Sequence, residues 1–224
     1  MSLFLQPTYL ISLLIAITVH EWSHAFVATR LGDPTPHNSG RLTLNPIAHL
    51  DPLGALLFLT AGFGWAKPVP VNASYFHHPR RDLLLTAAAG PVSNLLLAIL
   101  AFIGLLFIGW HPGVTVWELL SPSVSGSIGA PFFSQLFAYS LFVNLGLMAF
   151  NLLPVAPLDG SKVLEASIPP SMQDTYDDWM RYGPYVLLFL LLGENFLGIP
   201  LLSSWITWIM DAVLGLFARL SGVA

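Results

Sequence analysis

The chain has 224 residues, of which 55% are hydrophobic and only 9% charged, against about 25% charged in ordinary soluble domains. That composition excludes a water-soluble globular domain and indicates an integral membrane protein, with nearly the whole length needed for the membrane part. The net charge of -4 comes with basic residues that never form a run, which argues against nucleic acid, and the absence of cysteine removes disulfides and thiolate metal ligands together.

Met1 to Thr8 carries no Lys or Arg, so a cleavable signal peptide is not expected. The first apolar run, about Thr8 to Leu31, is therefore read as a retained span that closes at Gly32-Asp33-Pro34. Gly40-Arg41-Leu42-Thr43-Leu44-Asn45-Pro46 then alternates polar and apolar residues, and Lys67-Pro68-Val69-Pro70-Val71-Asn72 is extended by its prolines; both are read as short strands or loops. Between them, Leu53 to Trp65 is apolar over about a dozen residues, too short for a hydrocarbon core of about 30 Å, and is expected to be re-entrant or interfacial.

A second span runs from Leu83 to about Trp110 and is interrupted early by Gly90-Pro91. A Gly, Ser and Pro-rich loop, His111 to Pro131, leads to a third apolar stretch from Phe132 to Leu153. Pro154-Val155-Ala156-Pro157-Leu158-Asp159-Gly160 cannot continue as regular helix, because two prolines remove backbone donors; helix-compatible Ser161 to Ala166 comes next. Two last apolar runs, about Tyr182 to Leu192 and Ile199 to Phe217, flank Gly193-Glu194-Asn195, and the first is short enough to be tilted, half-inserted or paired with the second. The expected architecture is all-α and polytopic: one domain over residues 1–224 with about five transmembrane helices and a short re-entrant or β-hairpin segment after the first. The core of that domain covers about 8–166 and the two C-terminal membrane helices about 182–218.

Lys and Arg near span ends concentrate on the cytoplasmic side. With the amino terminus outside, Arg30, Arg41, Lys67, Arg80, Arg81, Lys162, Arg181 and Arg219 all fall inside, while Glu118 and Glu194 fall outside, which gives a cytoplasmic carboxyl terminus. The short chain suggests a prokaryotic inner membrane.

The chemistry centres on His20-Glu21-Trp22-Ser23-His24, an H-E-x-x-H pattern inside a span. Residues four apart share a helix face, so both imidazoles can bind one zinc while Glu21 reaches a metal-bound water. Ionisable groups in a span are costly unless paired, so by default they mark a functional site. A catalytic zinc wants a third protein ligand and an open position. Asp159, in a broken turn at membrane depth, is the candidate; its alternative role is to cap the following helix, and Glu165 is the rival ligand.

These residues, together with Gly90-Pro91-Val92-Ser93-Asn94 and with Asn151-Leu152-Leu153-Pro154 running into Leu158-Asp159-Gly160, resemble the site-two protease family of intramembrane metalloproteases over about Thr8 to Ala166. The resemblance implies one zinc per chain on His20, His24 and Asp159, Glu21 as general base, and Asn94 and Asn151 near the zinc to hold the substrate backbone or the developing oxyanion. It implies cleavage of transmembrane proteins or peptides within the lipid bilayer. The resemblance is to the short branch of the family, for which no inserted PDZ domain or CBS pair is expected, and oligomeric state is left open. The rival function is a membrane metal-ion transporter using the same His and Asp site; Glu21, needed as a base only for hydrolysis, discriminates. Arg41 to Asn45 and Val69 to Asn72 are candidate edge strands for an extended substrate. His37, His49, His77, His78 and His111 are read as solvated loop residues, and Trp65, Trp110, Trp205 and Trp208 as interfacial.

Overall fold

The structure, a computed structural model, describes residues 6–62, 64–108 and 132–220. The loop His111 to Pro131, with Glu118 and Trp110, lies outside the described residues. Four helices are long and apolar enough to cross a bilayer: α1 (Pro7–Arg30), α4 (Pro79–Phe107), α5 (Phe132–Asn151) and α9 (Leu201–Leu220). Between them lie α2 (Thr35–Asn38), α3 (Pro52–Ala61), α6 (Asp159–Glu165), α7 (Gln173–Met180) and α8 (Gly183–Leu197). The chain is thus an all-α polytopic membrane protein. Of the five expected spans one falls short, because α8 has 15 residues and reaches only about 22 Å. Its Leu187, Leu190 and Leu191 share one apolar cluster with Leu202, Trp205 and Ile206 of α9, so the two form a hairpin.

Helices α1, α4 and α5 pack against one another pairwise. Small residues permit close approach: Ala16, Ala25, Ala28 and Ala98 are fully buried, as expected where helix association in a membrane rests on packing. The larger core joins Phe102 and Leu105 of α4, Leu141, Leu145 and Met148 of α5, and Met210 and Phe217 of α9. The Trp205 indole N–H donates to the Ala149 carbonyl at 2.8 Å and ties α9 to α5. Gly90-Pro91 does not end α4, which runs through it.

Leu53 to Trp65 is largely helical: α3 begins at an Asp51 cap whose carboxylate accepts the Gly54 N–H at 2.8 Å, and it stops at Gly62 in the left-handed region, φ 72°. At 10 residues it spans about 15 Å, too short to cross. The flanking segments correct the strand reading and the β-hairpin alternative with it. Among the described residues no strand forms, and a single antiparallel bridge joins Leu50 to Ala66. Pro46, Pro68 and Pro70 lack ladder donors. The nearby carbonyls go instead to a side chain: Arg41, 5% exposed, donates to Ala48, to Lys67 at 3.2 Å and to Pro68 at 3.0 Å. Asp33, fully buried, accepts the N–H groups of Thr35 and Asn72 and pins the far end of the same segment to α1.

Candidate metal centre

His20 and His24 sit one turn apart on α1, about 20 Å from its start, and both are buried. Asp159 approaches from the broken backbone after α5. The cap alternative does not describe its side chain, because Leu158 is the N-cap of α6 and Asp159 is the first helical residue, with its carboxylate turned to the imidazoles. His20 Nε2 and His24 Nε2 each lie 3.2 Å from Asp159 Oδ2 and 3.1 Å from one another. Glu165 is elsewhere, accepting from the Gln173 amide at 3.2 Å.

The outer hydrogen bonds determine which protons face this group. His24 Nδ1 lies 2.7 Å from the Thr86 carbonyl, which can only accept, so Nδ1 carries the proton and Nε2 a lone pair. His20 Nδ1 lies 2.6 Å from Asn94 Oδ1, and the Asn94 amide nitrogen is engaged with Asn144 Oδ1 at 2.8 Å and the Ala16 carbonyl at 3.3 Å, so His20 is in the same state. With both imidazoles neutral, two lone pairs and a carboxylate oxygen converge here with no proton between them, and Asp159 Oδ2 has no donor of its own. Three acceptors at this spacing repel one another unless a cation joins them. A tetrahedral zinc with bonds of about 2.0–2.1 Å places its ligand atoms about 3.3 Å apart, close to what is seen. The residues fit the ion.

Glu21, next along α1, is half-buried, and its carboxylate accepts the Val69 N–H at 3.2 Å. A cavity of about 150 Å³ opens beside the group, lined by Glu21, Val69, Val71, Asn151, Pro157 and Lys162 among others. Asn151, the last residue of α5, faces this cavity while donating to the Leu147 carbonyl. Asn94 does not: it is fully buried with both ends of its amide engaged, so it is closed to a substrate and turned to His20.

At Gly90 a side chain would collide with the centre, since a Cβ there would lie 2.5 Å from His20 Cε1 and from His24 Nε2. Three residues to which the sequence assigned no part in the centre matter here: Asn144, Arg41 and Val69, the last two having been read only as parts of candidate edge strands. Asn144 carries the signal that singles out Asn94 and Asn151, an amide within an apolar run. Arg41 and Val69 carry none, because what they do depends on where a loop returns. His49 corrects the solvated reading: it is fully buried, with Nε2 donating to the Thr43 carbonyl at 2.8 Å, whereas His37, His77 and His78 are exposed.

The chain matches the sequence model of peptidase family M50 over residues 8–191. It is 40% identical over 223 residues to YwhC of Bacillus subtilis (strain 168), a candidate zinc metalloprotease by name, covering 97% of this chain and 94% of that one. It is also 31% identical over 211 residues to Rip2 of Mycobacterium tuberculosis (strain H37Rv) and 29% identical over 210 residues to Rip2 of Mycolicibacterium smegmatis, named in the same way, each alignment covering 88% of this chain and 71% of the relative. No solved structure matches significantly.

Proposed function

From the membership of this chain in peptidase family M50, we propose a membrane-embedded zinc metalloprotease in which His20, His24 and Asp159 hold one zinc and Glu21 is the general base, the whole chain forming one protease domain. The observation that carries the site assignment is the convergence of His20 Nε2, His24 Nε2 and Asp159 Oδ2, from two buried imidazoles and a half-buried carboxylate, within 3.2 Å of one another. Zinc bound there would supply Lewis acidity and lower the pKa of a water toward about 7.

Glu21 takes the proton of the attacking water and returns it to the leaving amide nitrogen. The Val69 N–H holds the Glu21 carboxylate at the cavity. Asn151, on the cavity wall, is placed to hold the substrate backbone or the oxyanion. Asn94 acts on His20 rather than on substrate, since its amide is engaged at both ends. The cavity, at about 150 Å³, is smaller than the roughly 300–1,000 Å³ of ordinary ligand pockets, so a peptide enters only when the Pro68 to Val71 segment gives way. The substrate is an unwound stretch of a transmembrane protein, because helical carbonyls are occupied by their own hydrogen bonds.

The charge asymmetry supports an amino terminus outside and a cytoplasmic carboxyl terminus, and the bacterial relatives support a prokaryotic inner membrane. Family membership does not support the transporter alternative.

Metal stoichiometry on detergent-purified protein is the direct test. The wild type is expected to hold one zinc per chain, Asp159→Ala to lose it and Glu165→Ala to keep it. Loss in Glu165→Ala alone would overturn the ligand set.

A further inference from the structure

Asn144 lies on α5, 1% exposed, with no contact to the metal ligands among its hydrogen bonds. Its amide nitrogen donates to the Ser140 carbonyl at 2.8 Å, one helical turn back, and this obliges Oδ1 to face Asn94. The Asn94 nitrogen then donates to Asn144 Oδ1 at 2.8 Å, and more weakly to the Ala16 carbonyl at 3.3 Å, leaving Asn94 Oδ1 for His20 Nδ1 at 2.6 Å. The chain of bonds crosses from α5 through α4 to α1 and runs one way only. Turning Asn94 end for end would set its oxygen against two acceptors, and Asn144 cannot turn because its own nitrogen faces a carbonyl.

We propose that Asn144 is a positioning residue of the metal centre: by fixing the polarity of Asn94 it holds His20 in the tautomer with the proton on Nδ1 and the lone pair on Nε2. Without Asn144, Asn94 keeps only the longer bond to Ala16 and is free to present its NH2 to His20. That would move the imidazole proton to Nε2, where it blocks the metal-facing lone pair. This inference rests on the His20, His24 and Asp159 site proposed above.

The test is zinc affinity, measured by competition with a chromophoric chelator, beside the thermal unfolding of the metal-free protein. Asn144→Leu removes the amide and is expected to weaken zinc by about 10–100-fold, the range found when an outer partner of a metal-binding histidine is lost. Asn144→Asp still accepts from Asn94 and, protonated in its apolar setting, still donates to Ser140; it is expected to stay within about threefold of wild type. Trp205→Phe, which deletes the α9–α5 bond remote from the centre, should lower unfolding temperature and leave zinc affinity unchanged.

Wild-type affinity in Asn144→Leu, or an equal loss in Trp205→Phe, would overturn the positioning role while leaving the site intact. A wild-type protein that takes up no zinc would overturn both. Asn144→Val serves in the same comparison should Asn144→Leu not fold.

Discussion

At Gly90 a hydrogen atom is all that fits between α4 and the two imidazoles. An added methyl carbon would lie within 2.7 Å of three of their ring atoms, and neither ring can retreat, since His20 is held by Asn94 and His24 by the Thr86 carbonyl. Gly90→Ala is therefore expected to lose most of its bound zinc when metal content is measured, whereas Gly146→Ala, with nothing within 4 Å, should bind as wild type. The neighbouring carboxylate separates binding from chemistry. Glu21→Gln keeps every proposed ligand and is expected to retain zinc while cleaving a membrane-protein substrate about 10²–10⁴-fold more slowly, the usual worth of a positioned base. Zinc lost together with cleavage would place Glu21 among the ligands instead.

On the scale of elements, the segment from Ala66 to Asn72 is held without a sheet. Arg41 gathers the carbonyls of Lys67 and Pro68, Asp33 takes the Asn72 N–H, and between them Val69 donates to Glu21. One buried guanidinium thus does for this loop what ladder hydrogen bonds do for a strand, and it sets where the Glu21 carboxylate points. Arg41→Met keeps the stem and removes the donors. It is expected to cost about 2–3 kcal/mol in equilibrium unfolding, as charged donors are lost from buried carbonyls, and to lower cleavage without changing zinc content. Unchanged stability in that variant would mean the carbonyls find other partners. A similar economy operates at the proposed third ligand: a Cβ at Gly160 would lie 2.4 Å from the Leu152 carbonyl oxygen, so only glycine lets α6 start close enough to the end of α5 to present Asp159.

For the whole molecule, the proposed orientation places the loops carrying Asn38 and Gln173 on the cytoplasmic side of the membrane. The chain contains no cysteine, so single cysteines report accessibility without background. Asn38→Cys and Gln173→Cys should react with an impermeant thiol reagent only from the cytoplasmic side; reaction only from outside would invert the proposed orientation. Much of this was legible in the chain itself. The long apolar runs announced α1, α4, α5 and α9, because burying a backbone in lipid requires its hydrogen bonds to close within each helix. The H-E-x-x-H spacing and the Pro-broken turn at Asp159 pointed to the three side chains that the fold brings together, since helix periodicity alone puts His20 and His24 on one face. The strands did not form, because prolines removed donors and a distant Arg41 took the carbonyls. Asn94 turned inward to His20 rather than toward substrate, because Asn144 on another helix was there to orient it. The order of residues thus suffices for whatever local periodicity and the cost of polar groups in lipid dictate. Which side chain completes each polar group waits on the packed helices, since partners such as Asn94 and Asn144, 50 residues apart, meet only there.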